Sequence, residues 1–161
     1  MTMPTETFWD LIEDVRTCML VTHDPETGLA ARPMHAIVER DAQEVWFYTE
    51  LDSEKASEIK ADQQVCLTFG CPRTNNFVSA TGRARLVRDH AKIKEHWNTF
   101  VDAWFPQGPD EASVGMICVK VEKGEYWDSH SSRIVSALKM IVASQQNERP
   151  DLGENARVAF N

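Results

Sequence analysis

The chain has 161 residues, and 17 basic against 25 acidic side chains give a net charge of −8 at pH 7 with histidines neutral. That is the length of one domain with room for a core, and 42% apolar with 26% charged residues excludes a disordered, collagen-like or low-complexity chain. The acidic balance argues against nucleic acid as a partner, because such binding draws on neutralised phosphates, and no apolar run approaches the roughly 18–20 residues of a membrane helix.

From Pro4 to Val15 the residues Phe8, Leu11, Ile12 and Val15 recur at helical spacing, so a short helix packed by one face is expected, with Thr5 or Thr7 as its cap. Glu6 and Asp10 stand where an export signal would carry a positive region and an apolar stretch, so the expected location is cytoplasmic. The period then changes to two. Residues 17–23 read as a strand, Asp24 to Gly28 as a turn, and Leu29 to Glu39 as the returning strand. Pro33 sets that strand at an edge or beside a bulge, because proline cannot donate to a ladder.

Glu44 to Glu50 is the next strand, with Val45, Phe47 and Thr49 on one face and Trp46 and Tyr48 on the other. Ser53 to Ala61 reads as a short helix with Asp52 or Ser53 at its N-cap and Ile59 inward. Val65 to Gly70 is a buried strand, and Phe77 to Arg88 a long one bent or bulged at Gly82. Asp89 then caps a helix on which Ile93, Trp97, Val101 and Trp104 form a single stripe. Val114 to Val121 is an apolar strand, Lys123-Gly124 a turn, and Glu125 to Asp128 a short extension. A last helix from about Ser132 to Gln145 should turn Ile134, Leu138 and Ile141 inward, and the polar tail from Asn147 should lie on a neighbour or in solvent. Six or seven strands with hairpin-sized connections and no strand-helix-strand alternation predict one domain over 1–161, mainly β: an antiparallel barrel with flanking helices.

No dinucleotide fingerprint, phosphate loop, HExxH or GxSxG occurs. The five histidines are scattered, and the cysteines Cys18, Cys66, Cys71 and Cys118 sit in apolar runs, so neither a metal site nor a disulfide framework is expected. Five tryptophans against two tyrosines suggest interfaces or a flat ligand. Chemistry is concentrated in two places. Residues 47–55 (FYTELDSEK) end a strand in aromatics and open a helix with hydroxyls and a lysine, the parts of a phosphate cradle. Arg32, on a strand between apolar neighbours, must find an anion or a carboxylate. Arg83, Arg85 and Arg88 read as a solvated strand edge, or as groups that meet acids across a dimer.

The ordered series Arg32-Pro33-Met34, Trp46-Phe47-Tyr48-Thr49, Ser53, Lys55, residues 65–69 (VCLTF), residues 78–84 (VSATGRA), Trp97 to Gly108, and Glu125-Tyr126-Trp127-Asp128 resembles the pyridoxamine 5′-phosphate oxidase-like superfamily, and within it the general stress protein 26 branch. The resemblance implies a split β-barrel that forms a homodimer and binds FMN, with FAD as a variant, in clefts at the subunit interface. By that resemblance Arg32, Ser53 and Lys55 hold the flavin phosphate, and Pro33 and Met34 lay backbone against the ring. Phe47, Tyr48 and Thr49 line the ring or ribityl chain, and Trp127 is contributed across the interface. Where the authentic oxidase continues towards a second phosphate-binding cation, this chain reads Ala36-Ile37-Val38-Glu39. The arginine-rich substrate segment of the oxidase is replaced by Arg133 and a helix, so oxidation of a vitamin B6 phosphate is not expected. A flavin-dependent oxidoreductase acting on a small molecule is the leading expectation. The alternatives are a non-catalytic flavin carrier or sensor, and a haem- or deazaflavin-binding barrel with His35 or His130 as an iron ligand.

Overall fold

The computed structural model describes residues 3–129, 133–151 and 153–161. Helix α1 (Pro4–Val15) starts at a proline, whose missing N–H would have no partner in a first turn anyway. Its N-cap is Met3, not Thr5 or Thr7: both threonines already lie inside the helix, and the Met3 N–H donates to the Glu6 carboxylate at 3.3 Å. Phe8, Trp9, Leu11 and Ile12 are buried, each contributing about 1.5–3 kcal/mol of apolar burial.

Strands β1 (Thr17–Asp24) and β2 (Gly28–His35) form a hairpin. The Asp24 carboxylate accepts from the Glu26 and Thr27 N–H groups at 2.7 and 3.0 Å, and Gly28 takes the positive φ (89°) that ends the turn. The expected strand through Glu39 is interrupted at Ala36, where the chain bends and the Ala36 N–H donates to Arg16 O at 2.7 Å. After the bend, β3 (Ile37–Glu39) pairs with β4 (Glu44–Glu50) instead of β1. The remaining elements are α2 (Glu54–Ala61), β5 (Gln64–Cys71), β6 (Asn76–Val87), α3 (His90–Glu95), α4 (Thr99–Trp104), β7 (Val114–Asp128), α5 (Arg133–Gln146) and β8 (Glu154–Ala159).

All strand pairs are antiparallel, in the order β2-β1-β5-β6-β7-β4-β3, with β8 added to β7. The first and last members, β2 and β3, are two halves of one bent strand, so the sheet closes on itself as a barrel. Its interior holds Leu20, Val45, Phe47, Leu67, Phe69, Val78, Ile117 and Tyr126, with α1 packed over one end. A smaller cluster of Trp46, Val114, Met116 and Cys118 lies under Ile93 of α3 on the outside of β4 and β7. Thus both faces of β4 are covered, as its alternation requires. The four cysteines are free thiols, and burial pushes Cys18 and Cys118 up to about 12.

Four expectations change. The single stripe from Ile93 to Trp104 is split between α3 and α4, because the Asn98 side chain accepts from the Val101 N–H (3.1 Å) and starts a second helix. Lys123-Gly124 is not a turn but the middle of the 15-residue β7. Gly124 is needed there because a Cβ would lie 2.3 Å from Cε2 of Phe8, so the glycine admits α1 rather than bending the strand. Leu138 and Ile141 are exposed rather than inward, and Ala143 is the buried residue on that helix; the Ile134 side chain lies outside the described residues. The tail is also more ordered in pattern than expected, since β8 pairs with β7 and buries Val158. By contrast, the irregularity foreseen at Gly82 is present as a register shift between Thr81 and Gly82. Among the described residues no helix is long and apolar enough to cross a membrane.

Candidate functional site

Strand β2, its bend and β3 form the floor of a cavity of about 730 Å³, within the roughly 300–1,000 Å³ of small-molecule pockets. Arg32, Pro33, Met34 and His35 line the floor, Tyr48, Glu50 and Lys55 one wall, and His96, Phe100 and Trp104 of the α3–α4 segment the roof. The β4 strand and the start of α2 bring Lys55 to the same end as Arg32.

Arg32 has found its carboxylate. Its guanidinium donates to Glu58 Oε2 (2.8 Å), Thr22 Oγ1 (2.7 Å) and Leu20 O (3.2 Å), while the Thr22 hydroxyl donates to the same Glu58 oxygen. Glu58 is buried and was not singled out by sequence; nothing local in α2 announces a partner on a strand 26 residues earlier. Lys55, by contrast, has no ion pair among the described residues. Burial, and then the Arg32 guanidinium, hold its ammonium below the usual lysine value, with Glu50 and Glu58 opposing. Two cations therefore face one end of the cavity, and one of them is unneutralised.

The other expected residues divide. Pro33 and Met34 line the cavity. Tyr48 does so too, with its hydroxyl donating to Ile93 O and its pKa pushed up to about 12 by burial first and Glu95 second. Phe47 points to the barrel interior with Val45, on the opposite face of β4 from Tyr48. Thr49 is buried, and its hydroxyl donates to Glu50 O at 3.2 Å. Ser53 is the N-cap of α2: its hydroxyl donates to Glu50 O (2.6 Å) and accepts from the Ala56 N–H (3.4 Å). Trp127 lies away from this cavity on β7, opposite Phe77 in register. His35 lines the floor with its ring 5.6 Å from that of Phe100, whereas His130 lies outside the described residues.

Arg83 and Arg85 meet acids within the chain, at 3.3 Å from Glu122 and 3.7 Å from Glu44. Glu39, Glu95 and His96 bring three possible metal-ligating atoms within 4.8 Å of one another. The Lys92 ammonium already lies on Glu39 and 3.7 Å from Glu95, so a cation of the chain itself occupies the side of those carboxylates that a metal would need.

A second groove, of about 920 Å³, adjoins the first and shares Thr17 and Pro33 with it. Its lining includes Cys18, Met19, Arg73 and Phe77.

A family model described as pyridoxamine 5′-phosphate oxidase like matches residues 4–151. Among solved structures, a protein from Jannaschia sp. CCS1 provisionally named general stress protein 26 has a TM-score of 0.75 at 26% identity, covering 97% of this chain and 97% of its own. The general stress FMN/FAD binding protein of Xanthomonas citri has a TM-score of 0.69 at 28% identity, over 80% of this chain and 90% of its own. Protein bli-3 of Neurospora crassa is 30% identical over 118 residues, and the chain spans only about half (56%) of that relative's length. The fold is that of the split barrels: a mostly antiparallel sheet with flanking helices.

Proposed function

The chain belongs to the pyridoxamine 5′-phosphate oxidase-like family, and from that premise we propose that it binds a flavin along β2, FMN with its phosphate at Lys55 and Arg32. The carrying observation is the half-buried Lys55 ammonium beside Arg32 with no carboxylate of its own. A phosphate dianion would relieve both the burial and the mutual repulsion of the two cations. The FMN/FAD binding of the Xanthomonas citri relative, at 28% identity, supports the same reading. Arg32 shares its charge with Glu58, so Lys55 carries most of the phosphate recognition. The cavity is large enough for a ring system and leaves its roof of Phe100 and Trp104 for a second small molecule.

When bound, the flavin supplies the electron transfer. The chain's own part is to orient the ring on the β2 backbone, hold the phosphate and exclude water with Tyr48 and Phe105. On this basis the protein acts as a flavin-dependent oxidoreductase on a small molecule. It does so as a homodimer in which Trp127 approaches the partner's flavin. Met19, Phe77 and Trp127, 40%, 38% and 42% exposed, form an apolar patch on the outer barrel face beside the second groove, which supports the dimer.

The test is the chromophore of the purified protein. Flavin absorbance, with FMN as the compound released on denaturation, is expected. A haem Soret band without flavin overturns the proposal. Reduction by NADPH or NADH followed by reoxidation with quinones or nitro compounds supports the enzyme, whereas bound flavin inert to every donor leaves a carrier or sensor.

A further inference from the structure

The cavity has a second cationic end that phosphate binding does not use. Arg16 ends α1 in the left-handed region (φ 61°), where glycine is the ordinary occupant. Its backbone is fixed from both sides: the N–H donates to Ile12 O (2.9 Å) and the carbonyl accepts from Ala36 at the β2–β3 bend (2.7 Å). Arg16, itself an exposed residue, lines the cavity at that bend. Its Nε donates to Glu13 O (2.9 Å), and its two terminal NH₂ groups have no acceptor among the described residues.

The one acid at this end is already taken. Both oxygens of Glu13 accept from Arg40, at 3.0 and 2.7 Å. Arg16 therefore lines the cavity without an acidic partner among the described residues, and His35 and Phe100, whose rings lie 5.6 Å apart, line the same cavity. It stands beside Ala36, four residues along the strand from Arg32, a span of about 13 Å at roughly 3.3 Å per residue. A ligand anchored at Lys55 and lying along β2 thus ends at Arg16. The planar guanidinium fork suits a planar, delocalised anion better than a point charge.

We infer that Arg16 is a second anion-binding point of this cavity, taking either the pyrimidine edge of a reduced, anionic flavin or the carboxylate of an aromatic acid lying beside the ring. The inference rests on the flavin reading for its first source and stands without it for its second. In FMN-loaded protein, the midpoint potential and the affinity for benzoate, followed by flavin absorbance, are measured for wild type, Arg16→Gln and Arg16→Lys. If the anion is the flavin, Arg16→Gln loses about tenfold in preference for reduced over oxidised FMN, a downward shift of about 30 mV for a two-electron couple, and Arg16→Lys recovers part of it. If the anion is an acid, the potential holds and benzoate affinity falls at least tenfold. Should the protein bind no flavin, the proposed function fails, and benzoate quenching of tryptophan fluorescence in the unloaded protein still tests Arg16. A potential and a benzoate affinity both indifferent to Arg16→Gln overturn the inference.

Discussion

Lys55 and Arg32 face the same end of one cavity, yet they should fail differently when removed. Lys55 carries no ion pair among the described residues, so Lys55→Met should fold normally and weaken FMN by the roughly 1.5–3 kcal/mol of a charged hydrogen bond, about tenfold to a hundredfold, while leaving riboflavin nearly unchanged; titration with both ligands checks it. Arg32→Ala strands the buried Glu58 carboxylate and should lower stability by about 3–5 kcal/mol, read as a fall in the denaturation midpoint whether or not flavin is present. Lys55 also sets a pH dependence. Its depressed value means the unfolded chain binds more protons in the window just below 10.5, so the unloaded fold is penalised below that window and relieved as pH rises through it. A phosphate prefers the ammonium, so the ratio of FMN to riboflavin affinity should fall as pH rises through the same window; a constant ratio removes Lys55 from the phosphate site. Part of this chemistry was legible, since an arginine inside a strand and a lysine at a helix start are local features. Strand parity alone already set Phe47 and Tyr48 on opposite faces, so their side chains could not both line one cavity. The Glu58 partnership and the free Arg16 fork were not legible, because they depend on which strand crosses α2 and on Arg40 having claimed Glu13.

Elements with a regular period were readable from it: α1, β4 and α2 lie where their spacing puts them, and the irregularity expected at Gly82 is present. The misreadings occur where a residue serves a neighbour rather than its own segment. The stripe from Ile93 to Trp104 reads as one helix, but the Asn98 side chain caps α4 and so shapes the roof over the cavity. Asn98→Ala should cost about 0.5–2 kcal/mol and loosen Phe100, seen as a lower melting temperature together with weaker flavin binding; lost stability with intact affinity separates the cap from the site. Gly124 looked like a turn, but it is the gap in β7 that admits Phe8. An added methyl group would meet both the Phe8 ring and Ser79 O at 2.8 Å, so Gly124→Ala should destabilise by about 1–3 kcal/mol. The double variant with Phe8→Leu should recover part of that loss, which chemical denaturation of the two variants tests.

At the scale of the whole molecule, closure of the barrel at Ala36 has a geometric result. The same strand borders both cavities, and Thr17 and Pro33 belong to each. A second copy seated on the outer face at Met19, Phe77 and Trp127, as proposed, would therefore cover the groove that adjoins the proposed flavin cavity. Composition alone could not single out this face, because tryptophan count does not say which rings are left uncovered after folding. Trp127 and Phe77 are register partners on adjacent strands, so one charge there disrupts the centre of the patch without touching the core. Trp127→Lys should keep its secondary structure and melting behaviour, sediment as a monomer, and bind FMN more weakly, with riboflavin weakened equally because the phosphate end at Lys55 is intact. Equal loss for the two flavins is the signature of a ring contact, in contrast to the selective loss expected for Lys55→Met. A variant that sediments like wild type and holds FMN with undiminished affinity would remove this face from the dimer and Trp127 from the site.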